Sequence, residues 1–203
     1  MSTKQILLGF VPWVAFSLIS TRIGPGAVGM AALLAFVLAA CLVGRSVARG
    51  GTPKLIELTA VATFAVIGVW ALLDPASDDV LAFYGRGLAA LVLAAVLALS
   101  LLTRPFTEQY AREGVPEQYW DSPRFHSVNR RISAAWAGAV AVMGVGHLLS
   151  GVLAANAAEY TGYLTGRPAD LLLNWLIPGA LIALAVRYSR RVAADASPSE
   201  VAR

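Results

Sequence analysis

Six strongly apolar segments alternate with short polar intervals along this chain of 203 residues. A helix rises about 1.5 Å per residue, so about 20 apolar residues are needed to cross a hydrocarbon core about 30 Å thick. Three segments have this length, and the other three need flanking aromatic and basic residues to complete a crossing. The pattern predicts an all-α membrane domain over residues 1–192, with six transmembrane helices in one bundle. The predicted spans are residues 6–20, 27–43, 55–73, 80–102, 132–154 and 171–186.

The composition agrees with a membrane protein and excludes several soluble classes. Hydrophobic residues make up 58% of the chain and charged residues 14%, and the mean hydropathy is +0.67. Such values are typical of integral membrane proteins. The formal net charge of +4 comes from basic residues between apolar segments, where they set topology, so we predict no nucleic-acid partner. Cys41 is the single cysteine, which excludes a disulfide framework.

The distribution of Lys and Arg predicts the orientation of the bundle. Cytoplasmic loops of membrane proteins are enriched in these residues. With the N-terminus inside and six crossings, only Arg22, Arg86 and Arg167 of the sixteen basic residues fall on the outer side. Both termini are therefore predicted to be cytoplasmic. Residues 193–203, which are poor in apolar residues, are predicted to form a disordered cytoplasmic tail.

Small residues recur at helical spacing on three of the predicted spans. Such stripes let helix backbones approach closely in lipid, where packing must drive the association of helices. We take these stripes as support for a compact bundle, without assigning the helices that they contact. The stripes are Ala27, Ala31, Ala35 and Ala39 on the second span, Ala90, Ala94 and Ala98 on the fourth, and Ala134, Gly138, Gly146 and Ser150 on the fifth.

The longest polar interval, residues 103–131, lies between the fourth and fifth predicted spans. It contains five arginines, four acidic residues and five aromatic residues. Thr103 can cap a helix that begins near Pro105, and Phe106 and Tyr110 would then form an apolar stripe on it. We predict that this helix lies in the headgroup region, with its aromatic side chains towards lipid and its ions towards water.

Two uses of this interval remain open. It is either an interfacial connector between spans or a platform that binds a partner protein, and both uses require exposed aromatic and basic side chains. The acidic residues of the interval, Glu108 among them, are expected to be solvated. The candidate partner-contact residues are Phe106, Tyr110, Arg112, Tyr119, Trp120, Phe125 and Arg130.

A few polar side chains lie at membrane depth, where they are functional candidates because their burial in lipid is costly. Four of them fall in the outer half of the predicted bundle: Arg86, His147, Asn156 and Asn174. They could converge on one outward-facing polar pocket, as in a small transporter or channel. Alternatively, the Asn and His side chains only link helices by hydrogen bonds.

The sequence contains no motif of a known catalytic type. There is no Ser-His-Asp arrangement and no H-E-x-x-H, and two histidines cannot form a metal site without more ligands. We therefore predict no catalytic, metal-binding or cofactor-binding residues. Pro12 and Trp13 in the first span echo Trp175 and Pro178 in the sixth. An inverted three-plus-three repeat would instead match the first span with the fourth and the third with the sixth, so the sequence shows no convincing internal repeat, and the usual signature of a transporter is weakened.

Four stretches share a pattern with a known group of bacterial membrane proteins. They are the opening GFVPWVAF at residues 9–16, the interval led by Pro105, residues 129–137 and residues 174–184. On these stretches and its hydropathy pattern, the chain resembles the bacterial intracellular septation protein A family. The resemblance implies a multi-pass protein of the bacterial plasma membrane that supports septation or cell-envelope maintenance. It also implies contacts with other envelope or division proteins and no catalytic residues.

The predicted function is therefore non-enzymatic support of septation or of the cell envelope through protein contacts. The lipid bilayer and envelope or division proteins are the expected partners. The first alternative is a small transporter or channel that uses the outer polar pocket. The second is an enzyme that modifies lipids with the acidic residues of the central interval.

Overall fold

The computed structural model describes residues 3–20, 27–161 and 168–196, and these residues form helices and connecting turns without a β-strand. Within these ranges, five elements are long and apolar enough to cross a membrane, namely residues 27–48, 55–73, 75–100, 123–156 and 168–194. The chain is therefore an α-helical, multi-pass membrane protein. Its α-helices are α1 (Thr3–Gly9), α2 (Val11–Ser20), α3 (Ala27–Ala48), α4 (Leu55–Leu73), α5 (Asp78–Ser100), α6 (Glu108–Ala111), α7 (Pro123–Thr161), α8 (Pro168–Leu171) and α9 (Ile177–Ala194). Shorter turns of helix are the 3₁₀ turns Pro75–Ser77 and Glu117–Tyr119 and the π turn Leu172–Leu176.

The two ends of the bundle can be told apart by their contacts. The Lys54 ammonium before α4 donates to the carbonyl of Gln109, at 3.0 Å. The Arg124 guanidinium at the start of α7 donates to the carbonyl of Asp195 after α9, at 2.7 Å. The central interval, the starts of α4 and α7 and the end of α9 therefore lie together at what we call the loop end. The opposite end, which carries Asp74 between α4 and α5, is the far end.

The predicted first span is divided into α1 and α2, which meet at Phe10. Pro12 has no N–H to donate to the carbonyl four residues earlier, so the helix is interrupted here. The ten residues of α2 rise only about 15 Å, about half of a hydrocarbon core. The two helices nevertheless run along α4 from the loop end towards the far end. Gly9 lies beside Ile56, and the ring of Phe16 lies 5.0 Å from that of Phe64.

The helix contacts follow only part of the predicted small-residue pattern. The stripe on α3 is fully buried, with its four alanines 0–2% exposed, so this prediction is confirmed. On α5, Ala94 is buried but Ala98 is exposed, and on α7 both Ala134 and Gly138 are exposed. The stripes on α5 and α7 therefore lie only partly at helix contacts, because the faces they mark are turned partly outward.

Three other glycines set the close approach of α5 and α7. A Cβ at Gly87 would lie 2.5 Å from the Leu148 side chain, and a Cβ at Gly144 would lie 2.8 Å from Leu91. At Gly151 it would lie 2.1 Å from the carbonyl oxygen of Phe83. At Gly151 the obstacle is the backbone of α5, and at Gly87 and Gly144 a leucine side chain and the backbone behind it would have to shift. These glycines therefore fix how deeply the two longest helices interlock.

The central interval folds into the bundle, and two predictions for it were wrong. The helix does not start near Pro105: α6 is a single turn, and α7 already begins at Pro123. Phe106 and Tyr110 do not face lipid, since they are 0% and 1% exposed. The fully buried Thr107 hydroxyl bonds to Ser133 and to the carbonyl of Asn129 on α7. These bonds hold the central interval against the bundle.

The C-terminal region also differs from the prediction. The helix α9 continues to Ala194, beyond the predicted end of the sixth span at residue 186, and Asp195 closes it through a bond from its N–H to the carbonyl of Arg191. The predicted tail thus begins with two helical residues. Its last part, residues 197–203, lies outside the described residues.

Candidate functional site

The candidate site is a cavity of about 250 Å³ between α2, α5, α7, the π turn Leu172–Leu176 and the first turns of α9. Three polar side chains line its far-end part: Arg86 from α5, His147 from α7 and Asn174 from the π turn. The other walls are almost entirely apolar and aromatic. They include Trp13, Phe16, Leu93, Met143, Trp175 and Ile182.

The π turn places Asn174 at this cavity. Pro178, four residues later, has no N–H to offer the carbonyl of Asn174, so the regular helical bond is missing there. The chain instead forms the wider π turn, in which the N–H of Ile177 bonds to the carbonyl of Leu172. Such turns widen a helix locally and often occur at functional sites. Asn174 is 3% exposed and so is held within the bundle.

A chain of hydrogen bonds joins the polar residues of α7 to those before α9. The Asn174 amide oxygen lies 2.7 Å from Nδ1 of His147, and its amide nitrogen lies 2.7 Å from Oγ of Ser150. The same amide nitrogen also donates to the Asp170 carboxylate. Ser150 donates to that carboxylate as well, at 3.3 Å.

These partners define the proton on the His147 ring. The Asp170 carboxyl oxygen Oδ1 accepts from Ser150 and from the amide nitrogen of Asn174, so this nitrogen faces Asp170. The amide oxygen then faces His147, and Nδ1 of the ring must donate to it. In the neutral ring, Nε2 is consequently an acceptor.

The Arg86 guanidinium is buried, but not all of its hydrogen-bond donors have a partner among the described residues. Its Nη2 atom lies 4.0 Å from Oδ1 of Asp170, which is too long for a hydrogen bond, and that oxygen already accepts from Asn174 and Ser150. The Nη1 atom is buried and has no hydrogen-bond partner among the described residues. The Arg86 side chain is only 12% exposed. A buried guanidinium with unused donors favours a further anionic or hydrogen-bond-accepting group.

The structure brings together three of the four polar residues predicted from the sequence. Arg86, His147 and Asn174 line the cavity, whereas Asn156 lies further along α7 and is exposed. Sequence reasoning missed Asp170, which completes the network. The available signal was its position four residues before Asn174, on the same face of a helix.

The seven candidate residues of the central interval divide into three groups. Phe106, Tyr110 and Phe125 are buried in the bundle, so they are not available to a partner at its surface. Arg130 is exposed and Tyr119 is 48% exposed, so both are accessible. Arg112 and Trp120 are partly exposed, with the guanidinium 4.9 Å from the ring centroid. The accessible surface at the loop end is therefore smaller than predicted.

Charged groups hold the central interval in place. Glu108 is 2% exposed, and its carboxylate lies 2.8 Å from Nδ1 of His126 and 3.6 Å from Nη2 of Arg112, so the expectation that it is solvated was wrong. Lys54 pairs with Glu113 at 2.5 Å. Burial raises the pKa of the Tyr110 phenol, and the nearby carboxylates of the loop end raise it further, so this phenol stays protonated at neutral pH.

Comparisons of the chain with protein-family models, with curated proteins and with solved structures find no match. Within the part of the chain that the structure describes, no group of three or more His, Cys, Asp and Glu side chains is placed to hold a metal ion. The fold and the cavity thus define the class: a multi-pass helical membrane protein with a mostly apolar internal cavity and a cationic residue at one end of it.

Proposed function

We propose that this protein binds an organic anion in the cavity at Arg86 and serves as a small carrier for it. The observation that carries the proposal is the incomplete pairing of Arg86. Its Nη1 atom is buried without a partner in the described chain, and the nearest carboxylate, of Asp170, is 4.0 Å away and already engaged. A carboxylate or phosphate would supply the missing acceptors, and a guanidinium binds such groups through two parallel bonds.

The packing below the cavity supports a carrier rather than an open channel. The ring of Phe10, which lines the cavity, stacks on Trp136 with centroids 5.3 Å apart. We propose that this aromatic pair closes the cavity on the side of the loop end. A carrier closed on one side has this form, because alternating access requires that only one side be open at a time.

The orientation of the bundle completes the proposal. We propose six crossings, with α1 and α2 together making the first, and both termini on the cytoplasmic side of a bacterial plasma membrane. The Lys and Arg distribution supports this orientation, because the basic ends of α4, α7 and α9 meet at the loop end. The polar end of the cavity, at Arg86, then lies towards the outer side of the membrane.

The test is the binding of bromohexanoate, a short anion that quenches tryptophan fluorescence on contact. Trp13 and Trp175 line the cavity and report its occupancy. Arg86→Gln is expected to weaken binding by at least about tenfold, because a charge-assisted hydrogen bond is lost. Arg86→Lys keeps the positive charge but loses the two parallel donors of the guanidinium. Its bromohexanoate affinity is therefore expected to lie between that of Arg86→Gln and that of the unmodified protein.

Two controls make this result specific. Arg104 is an exposed arginine of the central interval, so Arg104→Gln should leave bromohexanoate affinity unchanged. The double variant Arg86→Gln with Asp170→Asn removes both charges, so it should bind as weakly as Arg86→Gln while melting close to the unmodified protein. Equal affinity in Arg86→Gln and the unmodified protein would overturn the proposal.

A second candidate function is the septation or envelope scaffold that the family resemblance implies. The observation that favours it is the accessible part of the loop end, where Tyr119 is 48% exposed beside the Arg112–Trp120 stack. Exposed aromatic and arginine side chains are enriched at the centres of protein interfaces. We propose that, if the protein is a scaffold, it binds its partner proteins through this surface.

Photo-crosslinking in cells tests the scaffold. Tyr119 and Arg130 are both accessible. A photoreactive residue at either position is expected to capture defined division or envelope-synthesis proteins, each in a complex of fixed stoichiometry. The same group at the fully buried Phe106 is the matched control and should capture only this chain. If positions 119 and 130 capture lipid alone, the scaffold proposal fails.

A further inference from the structure

We infer that the ligand is an anionic amphiphile with a single chain, bound with its head at Arg86 and its tail leaving the bundle sideways between α2 and α9. This inference rests on the proposed anion site, and it adds the chemical class of the ligand and its route. It is carried by three features of the cavity: the distribution of polar groups, the opening in the wall and the volume.

The charged and strongly polar side chains of Arg86, His147 and Asn174 occupy one end of the cavity, and the rest of the lining is apolar except for Ser17 on α2 and the indole nitrogens of its tryptophans. From Arg86, the α5 wall continues through Ala89 and Ala90 to Leu93, and the α7 wall runs from His147 to Val140. Seven residues of helix rise about 10 Å, so an apolar strip of this length extends from the charged end towards the loop end. A small hydrophilic anion would leave these walls bare, whereas an acyl or alkyl tail matches them.

One side of the cavity opens towards the surroundings of the bundle. Val14 on α2 and Gly179 on α9 both line the cavity, yet Val14 is 45% exposed and Gly179 is exposed as well. A Cβ at Gly179 would meet no atom within 4 Å. Since α2 packs mainly on α3, and α9 mainly on α7, the two helices flank a gap. At this depth the gap faces the hydrocarbon core.

The sequence echo noted between the first and sixth spans lies at this gap. Trp13 beside Pro12 lines one wall, and Trp175 and Pro178 line the other. Each proline removes a backbone hydrogen bond from its helix, which allows the helix to bend away from its neighbour. The repeated Pro and Trp residues therefore mark the two sides of a lateral opening and not an inverted repeat.

The volume decides how much of the ligand stays inside. A protein cavity of about 150 Å³ holds a benzene molecule, so about 250 Å³ holds an anionic head and the first part of a chain. A long chain cannot fit completely. Its remainder must pass through the gap into lipid, where an apolar tail is at no disadvantage.

Competition against bromohexanoate tests the inference. The protein is reconstituted in vesicles of zwitterionic lipid, and unlabelled octanoate, decanoate and hexadecanoate are added in turn. Because these competitors carry no bromine, those that merely dissolve in the bilayer leave the fluorescence unchanged. Relative to the free aqueous concentration of each competitor, we expect affinity to rise by about fourfold per added methylene over the short chains and not to fall for the longest. Alkyltrimethylammonium ions of equal length should not compete.

Filling the gap gives the sharper test. Gly179→Phe places a ring in open space at the gap, and it should weaken competition by hexadecanoate at least tenfold while bromohexanoate affinity changes less than twofold. Gly138→Phe is the matched control, because a Cβ at Gly138 also meets nothing within 4 Å and Gly138 lies outside this cavity. A sharp loss of competition beyond octanoate, equal effects of the two variants, or competition by the cations overturns the amphiphile. Failure of bromohexanoate itself to bind overturns the anion site instead.

Discussion

Replacement of Trp136 by alanine is expected to lower the free energy of unfolding by about 3 kcal/mol. Trp136 is 1% exposed, stacks on Phe10 and donates from Nε1 to Oγ of Ser189 at 3.0 Å. It therefore joins α7 to both the first span and α9. We take the lower part of the range for large-to-small core changes, because transfer from water contributes little within lipid and the loss is one of packing.

Unfolding titration in mixed micelles of a mild detergent and SDS measures this effect. Trp136→Phe keeps the ring but loses the bond to Ser189, so it should cost about 1 kcal/mol. Trp70→Ala on α4 is the control of the same residue type, because Trp70 is 41% exposed and contributes less buried packing. If Trp70→Ala costs as much as Trp136→Ala, the described core is not the one that stabilises the bundle.

Gly151→Ala is expected to destabilise the protein by about 2 kcal/mol, although it adds only one methyl group. The new Cβ would lie 2.1 Å from the carbonyl oxygen of Phe83, which belongs to the backbone of α5 and cannot move alone. The two helices would have to separate, which also weakens the contacts at Gly87 and Gly144.

The matched change Gly138→Ala is expected to act in the opposite direction. Its Cβ meets nothing within 4 Å, so the higher helix propensity of alanine should leave the protein unchanged or more stable by about 0.5–1 kcal/mol. Both variants are measured in the same unfolding titration. A loss of stability in Gly138→Ala as large as in Gly151→Ala would show that glycine flexibility, and not the close approach to Phe83, is what matters.

The cavity contains two groups of residues that the sequence analysis treated separately. The polar residues at membrane depth predicted a pocket, and the Pro and Trp echo was set aside because it did not fit an inverted repeat. In the structure, Arg86, His147 and Asn174 form one end of the cavity, and Trp13 and Trp175 line its walls. A polar end and an apolar body in one cavity explain both observations with one type of ligand.

The central interval shows where local patterns mislead. An apolar stripe on a short polar segment predicts a helix that lies on lipid, because lipid is the nearest apolar medium the sequence reveals. The interior of the bundle is an equally apolar destination, and Phe106 and Tyr110 are buried there. The choice depends on Thr107, whose hydroxyl finds partners on α7 more than twenty residues away. No periodicity in the interval encodes that contact.

The sequence by itself determined that the chain is helical, where its longest apolar helices lie and that they suit a membrane. The predicted third span matches α4 residue for residue, and the fourth is displaced by two residues. These features follow from the hydrophobicity and length of consecutive residues, which are local properties. The tertiary structure alone decided that Gly151 meets Phe83, that Asp170 completes the network at Asn174, and that a gap opens between α2 and α9. Those contacts depend on the order and rotation of the helices, and small residues on several faces of each helix permit more than one arrangement.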